Sequence, residues 1–191
     1  MSHPTAASAV ERRLPTAVDT GRLGRALAAA CRIHVDLIRR GGLHVNVSGD
    51  LGVGKTALVR AWLRAFGIDG PIRSPTFAVL EPYVVGDARA AAGRDGLEAH
   101  EDSSLDFYHF DFYRFADPSE FGVGFREQFG PGSICAIEWP EKAGDRLPQA
   151  DLTVALEIDG EGRRARLSAT SDTGKTCLRS TIVKFDANAA G

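Results

Sequence analysis

The fold of this chain is decided by the stretch Ser48-Gly49-Asp50-Leu51-Gly52-Val53-Gly54-Lys55-Thr56. The stretch has the phosphate-loop pattern, in which a glycine and four further residues are followed by Gly-Lys-Thr. Its glycines allow the backbone to bend and to bring N–H groups close to anionic oxygens. We expect Lys55 to place its charge on the β- and γ-phosphates of a nucleotide, and the Thr56 hydroxyl to bind Mg²⁺. The stretch therefore predicts a nucleoside triphosphate site.

The residues on either side of the loop support this prediction. Residues 43–48 alternate like a strand, and residues 57–66 carry apolar side chains at helical spacing, closed by Gly67. Strand, loop and helix in this order distinguish a phosphate loop from a glycine-rich turn that matches by chance. The N-terminal dipole of the helix favours the same anions.

Length and composition predict a soluble globular protein. The chain has 191 residues, 43% of them hydrophobic and 25% charged, with a formal net charge of −2. A strongly basic nucleic-acid surface is therefore not expected. Cys31, Cys135 and Cys177 lie far apart and have no metal-ligand spacing. We also see no membrane span and no signal peptide, so we expect a cytoplasmic protein.

Changes of composition along the chain predict its boundaries. Residues 1–16 mix small, polar and charged residues without periodicity and predict a mobile tail. Residues 17–185 predict a single domain, whose first helix runs from Asp19 or Thr20 to Arg40. Within it, residues 84–105 have no core stripe and predict an exposed, partly disordered inserted loop. Residues 186–191 predict a closing tail.

Two further strands carry carboxylates near their ends. Residues 107–114 alternate so that Phe107, His109 and Asp111 share one face. A carboxylate on an otherwise apolar strand is costly to bury unless another group pairs with it. That partner is either a hydrated Mg²⁺ or a nearby lysine, as at a functional site, or a base such as Arg114 in an ordinary ion pair. Residues 133–138 form an apolar run that ends in Glu138, at the end of a strand where open α/β sheets bind ligands. Glu138 fits a Walker-B-like acid that holds Mg²⁺ or orients water, although ordinary strands also end in this way.

Two other segments have a predicted role or structure. Ser74-Pro75-Thr76 follows the loop helix and is either a switch that senses γ-phosphate or a rigid entry into a strand. Residues 152–158 and 163–169 predict a hairpin, and the β character of residues 177–185 predicts a further strand. The Gly-Lys-Thr at 174–176 lacks the first glycine and is not expected to form a second phosphate loop.

The fold class predicted from these elements is α/β and P-loop NTPase-like. We expect a mostly parallel central sheet flanked by helices, with C-terminal antiparallel strands.

Several of these motifs together resemble the bacterial TsaE (YjeE) family, the ATPase component of tRNA threonylcarbamoyladenosine biosynthesis. Order and approximate spacing agree from about residue 18 to 175. Besides the loop, the matching stretches are Ser74-Pro75-Thr76-Phe77, Glu81-Pro82-Tyr83, Tyr108-His109-Phe110-Asp111-Phe112-Tyr113-Arg114 and Ile137-Glu138-Trp139-Pro140.

The resemblance implies a role for each matching residue. Ser74, Pro75 and Thr76 would form the switch, and Lys55, Asp111 and Glu138 the catalytic set. The Mg²⁺ ligands would be Thr56, Glu138 and Asp111. The implied nucleotide contacts are Gly49, Asp50, Leu51, Gly52, Val53, Gly54, Lys55 and Thr56 in the loop, with Glu141, Arg163 and, by the adenine, Thr20.

The resemblance also implies an activity and partners. The chain would bind Mg²⁺ and ATP, hydrolyse ATP slowly to ADP, and reset a complex of TsaB and TsaD that modifies adenosine 37 of tRNA. It would meet tRNA only indirectly, through that complex. From the sequence itself we expect no membrane binding, and for the oligomeric state, which the sequence leaves open, we favour a monomer. Two alternatives are a small-molecule P-loop kinase, whose basic lid Arg89 and Arg94 would supply, and a non-hydrolysing ATP-binding scaffold.

Overall fold

A computed structural model describes residues 8–72, 75, 78–86 and 104–188 of the chain. The strands are β1 (Ser8–Leu14), β2 (Leu43–Ser48), β3 (Leu80–Gly86), β4 (Ser104–Asp111), β5 (Ser133–Glu138), β6 (Leu152–Asp159) and β7 (Gly162–Ala169). The helices are α1 (Ala17–Ile33), α2 (Val35–Gly41), α3 (Lys55–Ala65), α4 (Val123–Arg126) and α5 (Asp172–Ala187). Short 3₁₀ turns occupy Pro118–Glu120, Pro140–Lys142 and Gly144–Arg146.

The described strands form one seven-stranded sheet in the order β1-β7-β6-β2-β5-β4-β3. The central pairs β4–β5, β5–β2 and β2–β6 are parallel, whereas β3–β4, β6–β7 and β7–β1 are antiparallel. This confirms the predicted α/β class with a parallel centre and a C-terminal antiparallel hairpin. The parallel arrangement brings the carboxyl ends of β2, β5 and β4 to the same edge of the sheet.

The two faces of the sheet are covered differently. Helices α1, α3 and α5 pack together on one face and bury the larger core, in which the rings of Trp62 and Phe107 meet edge to face. A cluster of aromatic side chains, including Phe110 and Phe112, covers β4 and β5 on the other face. Because side chains alternate along β4, His109 and Asp111 lie on the helix side with Phe107.

Thr16 fixes the start of α1. Its side chain accepts a hydrogen bond from the backbone N–H of Asp19, and its own backbone N–H donates to the Asp19 carboxylate. We expect Thr16→Ala to lower the free energy of unfolding by about 1 kcal/mol, because helix N–H groups lose their acceptor. Urea unfolding without nucleotide measures this, and Thr16→Ser is the matched control because it keeps the hydroxyl. Equal unfolding midpoints for the two variants would contradict the assignment.

The prediction of an N-terminal tail over residues 1–16 is wrong for residues 8–16. Residues 8–14 form β1, which pairs antiparallel along its whole length with β7, and Leu14 is fully buried. The strand lies at the edge of the sheet and has little apolar alternation of its own, so its stability comes from β7. Residues 1–7 lie outside the described residues.

The predicted C-terminal strand over residues 177–185 is also wrong. These residues belong to α5, which begins after Ser171, whose hydroxyl accepts from the N–H of Gly174. The helix extends to Ala187, so the predicted tail at 186–191 begins too early. Thr181 and Phe185 are buried, and α5 packs on α1 and β7, so tertiary packing outweighs the strand propensity of its β-branched residues. Residues 174–176 lie near the start of this helix and form no second phosphate loop.

The prediction of an inserted loop over residues 84–105 is wrong at both ends. Its first residues, 84–86, belong to β3, and residues 104 and 105 belong to β4. The intervening residues 87–103, with Arg89 and Arg94, lie outside the described residues. No helix among the described residues is long and apolar enough to cross a bilayer.

Candidate functional site

The predicted phosphate loop connects β2 to α3 at the carboxyl edge of the sheet. Gly49, Gly52 and Gly54 all have positive φ angles, of 129°, 76° and 115°, which L-residues rarely adopt. α3 begins at Lys55, directly after the loop. The loop therefore has the tight curvature and the helix N-terminus that anion binding requires.

Lys55 is buried at the centre of the loop, with 4% of its surface exposed. Its Nζ donates to the carbonyls of Gly49 (2.5 Å) and Asp50 (2.9 Å) and lies 3.7 Å from the ring centroid of Trp139. Burial lowers the pKa of Lys55, and nearby carboxylates oppose this, led by Glu138 and including Asp111. A cation held among carbonyls and carboxylates is suited to exchange these partners for phosphate oxygens.

The two strand-end carboxylates lie side by side next to the loop. Asp111 and Glu138 are register partners at the ends of the parallel strands β4 and β5, with exposures of 4% and 2%. Glu138 Oε2 accepts from Thr56 Oγ1 at 2.9 Å, and Asp111 Oδ1 accepts from the N–H of Tyr113 at 3.0 Å. Lys55, Thr56, Asp111 and Glu138 are thus brought together, as the sequence predicts.

His109 also belongs to this cluster, although the sequence around it predicts no role for it. Its Nε2 lies 2.8 Å from Glu138 Oε1, and both side chains are almost completely buried. The available signal was the alternation along β4, which places His109 on the same face as Asp111. The register between β4 and β5, which aims it at Glu138, is not encoded in any local pattern.

The cluster fits a Mg²⁺ ion in its chemistry. Thr56, Glu138 and Asp111 offer hydroxyl and carboxylate oxygens, the ligands that Mg²⁺ prefers. Among the described residues, no three His, Cys, Asp or Glu side chains form a group that holds a metal by itself. Mg²⁺ at nucleotide sites is usually held by one or two carboxylates together with phosphate oxygens and water.

Two cavities adjoin at Gly54 and Ala57. The first, of about 280 Å³, is lined by the loop and by Asp111, Glu138 and Trp139, and we call it the phosphate cleft. The second, of about 290 Å³, lies beside the start of α1 and the turn between β6 and β7. Their combined shape offers one compartment for phosphates and a neighbouring one for the rest of a nucleotide.

The remaining predicted nucleotide contacts lie at different places relative to the two cavities. Thr20 and Arg163 line the second cavity. Arg163 Nε also donates to the carbonyl of Val53 at 2.8 Å, and this hydrogen bond connects the β6–β7 turn to the phosphate loop. Exposed Leu51 lines the phosphate cleft. Glu141 lies on the exposed turn Pro140–Lys142, outside the linings of both cavities. Its charge nevertheless partly opposes the lowering of the Lys55 pKa that burial causes.

The predicted switch is described only in part. Ser74 and Thr76 lie outside the described residues, whereas Pro75 is buried and its carbonyl accepts from the N–H of Val79 at 2.6 Å. The carbonyl of Val79 in turn accepts from the N–H of Asp111 at 3.0 Å. Val79 has a φ of 67°, an uncommon conformation for a β-branched residue. Val79, which is hydrogen-bonded to Pro75, is therefore in contact with Asp111.

Comparisons with known proteins agree on one family. The model of the family "Threonylcarbamoyl adenosine biosynthesis protein TsaE" matches residues 14–167. The tRNA threonylcarbamoyladenosine biosynthesis protein TsaE of Haemophilus influenzae is 38% identical over 135 residues, covering 70% of this chain and 75% of that protein. The protein of the same name from Treponema pallidum is 31% identical over 150 residues, covering 78% and 92% respectively.

A solved structure shares the fold. The crystal structure of Bacillus subtilis YdiB superposes with a TM-score of 0.67 over 95% of this chain and 98% of that one, at 21% sequence identity. This likeness shows that the overall fold is one already known from experiment.

Proposed function

Because this chain belongs to the TsaE family of threonylcarbamoyl adenosine biosynthesis proteins, we propose that it binds Mg-ATP and hydrolyses it slowly in support of tRNA threonylcarbamoylation. Its hydrolysis resets a complex of TsaB and TsaD between rounds of modification of adenosine 37. The observation that carries this proposal is the convergence of Lys55, Thr56, Asp111 and Glu138 on the phosphate cleft.

Each side chain has a part that follows from its position. The loop N–H groups and the start of α3 bind the phosphates, and Lys55 releases the carbonyls of Gly49 and Asp50 to bind them. Thr56 and Glu138 would bind Mg²⁺ at the side of the cleft where their oxygens meet. Asp111, next to Glu138, orients the attacking water and accepts its proton. Bound Mg²⁺ supplies the positive charge that offsets the charge developing on the phosphoryl oxygens.

The surroundings of Lys55 support a nucleotide-dependent change of state. In this structure Lys55 is held by two carbonyls and the ring of Trp139, a residue with a φ of 57°. Exchange of these contacts for phosphate oxygens moves the loop and Trp139 relative to each other. Val79 links Pro75 to Asp111 through backbone hydrogen bonds, so it is placed to respond to the same event.

Phosphate release without any acceptor tests the proposed hydrolysis. We expect the full-length chain to release phosphate from ATP slowly in the presence of Mg²⁺, and faster when TsaB and TsaD proteins are added. Lys55→Ala, purified in the same way, controls for contaminating ATPases. A small-molecule kinase would stay nearly silent until its acceptor is added. Equal release by the wild type and Lys55→Ala would contradict the proposal.

The pathway role has a separate test in cells. We expect the chain to restore threonylcarbamoyladenosine in the tRNA of a bacterium depleted of its own TsaE protein, as measured by mass spectrometry of tRNA nucleosides. Lys55→Ala should fail at equal protein abundance. Restoration by both proteins, or by neither, would remove the support for an ATP-dependent role in this pathway.

A further inference from the structure

The two oxygens of the Glu138 carboxylate are held from two different elements. Oε1 lies 2.8 Å from His109 Nε2 on β4, and Oε2 accepts from Thr56 Oγ1 at 2.9 Å on α3. Rotation about the last side-chain bond of a glutamate is normally soft. Both hydrogen bonds must be broken before this carboxylate can turn.

The remaining nitrogen of His109 indicates which way its hydrogen bond runs. Nδ1 is buried and has no hydrogen-bond partner among the described residues. A buried N–H without an acceptor is costly, so the ring proton belongs on Nε2, which then donates to Glu138. The imidazole is fully buried, and its ring therefore has little freedom to move away.

The two bonds to Glu138 come from groups with different roles. The Thr56 hydroxyl can donate its proton to Glu138 and still offer its oxygen lone pairs to Mg²⁺, so its bond would be part of the proposed metal site itself. The bond from His109 comes from a fully buried side chain that lines neither cavity. It is therefore the contact that holds the carboxylate from outside the nucleotide site.

We propose that His109 is a positioning residue whose Nε2–H holds the Glu138 carboxylate in the orientation that Mg²⁺ requires. This rests on the proposed binding of Mg-ATP and adds a residue to that site. Partners behind a metal ligand commonly change metal affinity by about 10- to 100-fold when they are removed. A residue with a merely structural role would lower the thermal midpoint without changing the dependence on Mg²⁺.

The test compares His109→Met with His109→Gln in the full-length chain. Methionine fills much of the space without a donor, whereas the glutamine amide keeps a donor at nearly the reach of Nε2. The measurement is the affinity for a fluorescent ADP analogue in EDTA and across a Mg²⁺ titration, together with the thermal midpoint. We expect the half-saturating Mg²⁺ concentration to rise about tenfold in His109→Met and to stay within about threefold of wild type in His109→Gln. Affinity in EDTA should change little in either variant.

Several results would overturn the inference. These are an unchanged Mg²⁺ dependence in His109→Met, equal shifts in the two variants, or a wild-type ADP affinity that does not respond to Mg²⁺. If His109→Met does not fold, His109→Asn replaces it, because its amide is too short to reach Glu138 and should give the same loss. The binding assay needs no turnover, so a wild-type chain that binds Mg-ADP but releases no phosphate overturns the proposed hydrolysis alone.

Discussion

Asp111→Asn is expected to lower the turnover number for ATP hydrolysis by about 10²- to 10³-fold and to leave nucleotide binding intact. The substitution keeps the size of the side chain and the oxygen that accepts from the N–H of Tyr113. It removes the negative charge and the basic oxygen beside Glu138, where we place the attacking water. Affinity for ADP should be equal or slightly tighter, because a carboxylate no longer repels the phosphates.

Steady-state phosphate release and equilibrium binding of a fluorescent ADP analogue separate these two effects. Asp106→Asn is the matched control, since Asp106 lies on the same strand but is exposed, and it should behave like wild type. Turnover at the wild-type rate in Asp111→Asn would remove Asp111 from the chemistry. Loss of binding in parallel with turnover would instead indicate a damaged site.

The parts of the site that the sequence predicts are those written in short local patterns. The phosphate loop has its glycines, lysine and threonine within nine consecutive residues, and the apolar run before Glu138 identifies a buried strand. Alternation along β4 places Asp111 on the same face as Phe107 and His109, and the structure shows that this is the side covered by the loop helix. Open α/β topology then predicts that both strands end at the same edge, as the register of Asp111 with Glu138 confirms.

What the sequence does not predict depends on contacts between distant segments. β1 has little apolar pattern and exists because β7 supplies its hydrogen bonds. α5 carries β-branched residues that favour a strand, but Cys177, Leu178 and Phe185 recur on one side, and packing against α1 and β7 decides the outcome. The contact of His109 with Glu138 likewise needs the strand register, which only the whole sheet determines.

Gly49→Ala is expected to cause the largest loss of stability of any substitution considered. Gly49 has a φ of 129°, and an added Cβ would lie 2.2 Å from the carbonyl oxygen of Leu156. That oxygen belongs to the backbone of β6, which pairs with β2 and β7 and cannot move aside without breaking the sheet. We therefore expect the free energy of unfolding to fall by at least about 3 kcal/mol. ADP binding should be lost as well, because relieving the clash displaces the loop from Lys55.

Gly52→Ala in the same loop separates the clash from the backbone conformation. Its φ of 76° is also unfavourable for alanine, but an added Cβ would have nothing within 4 Å. We expect Gly52→Ala to lower the free energy of unfolding by about 1 kcal/mol, because it adds only the strain of an alanine in the left-handed region. Urea unfolding of both variants without nucleotide gives the two values. Equal losses of unfolding free energy in the two variants would mean that the close approach of Gly49 to β6 adds nothing to the cost of a side chain there. Positive φ angles alone would then explain why the loop needs its glycines.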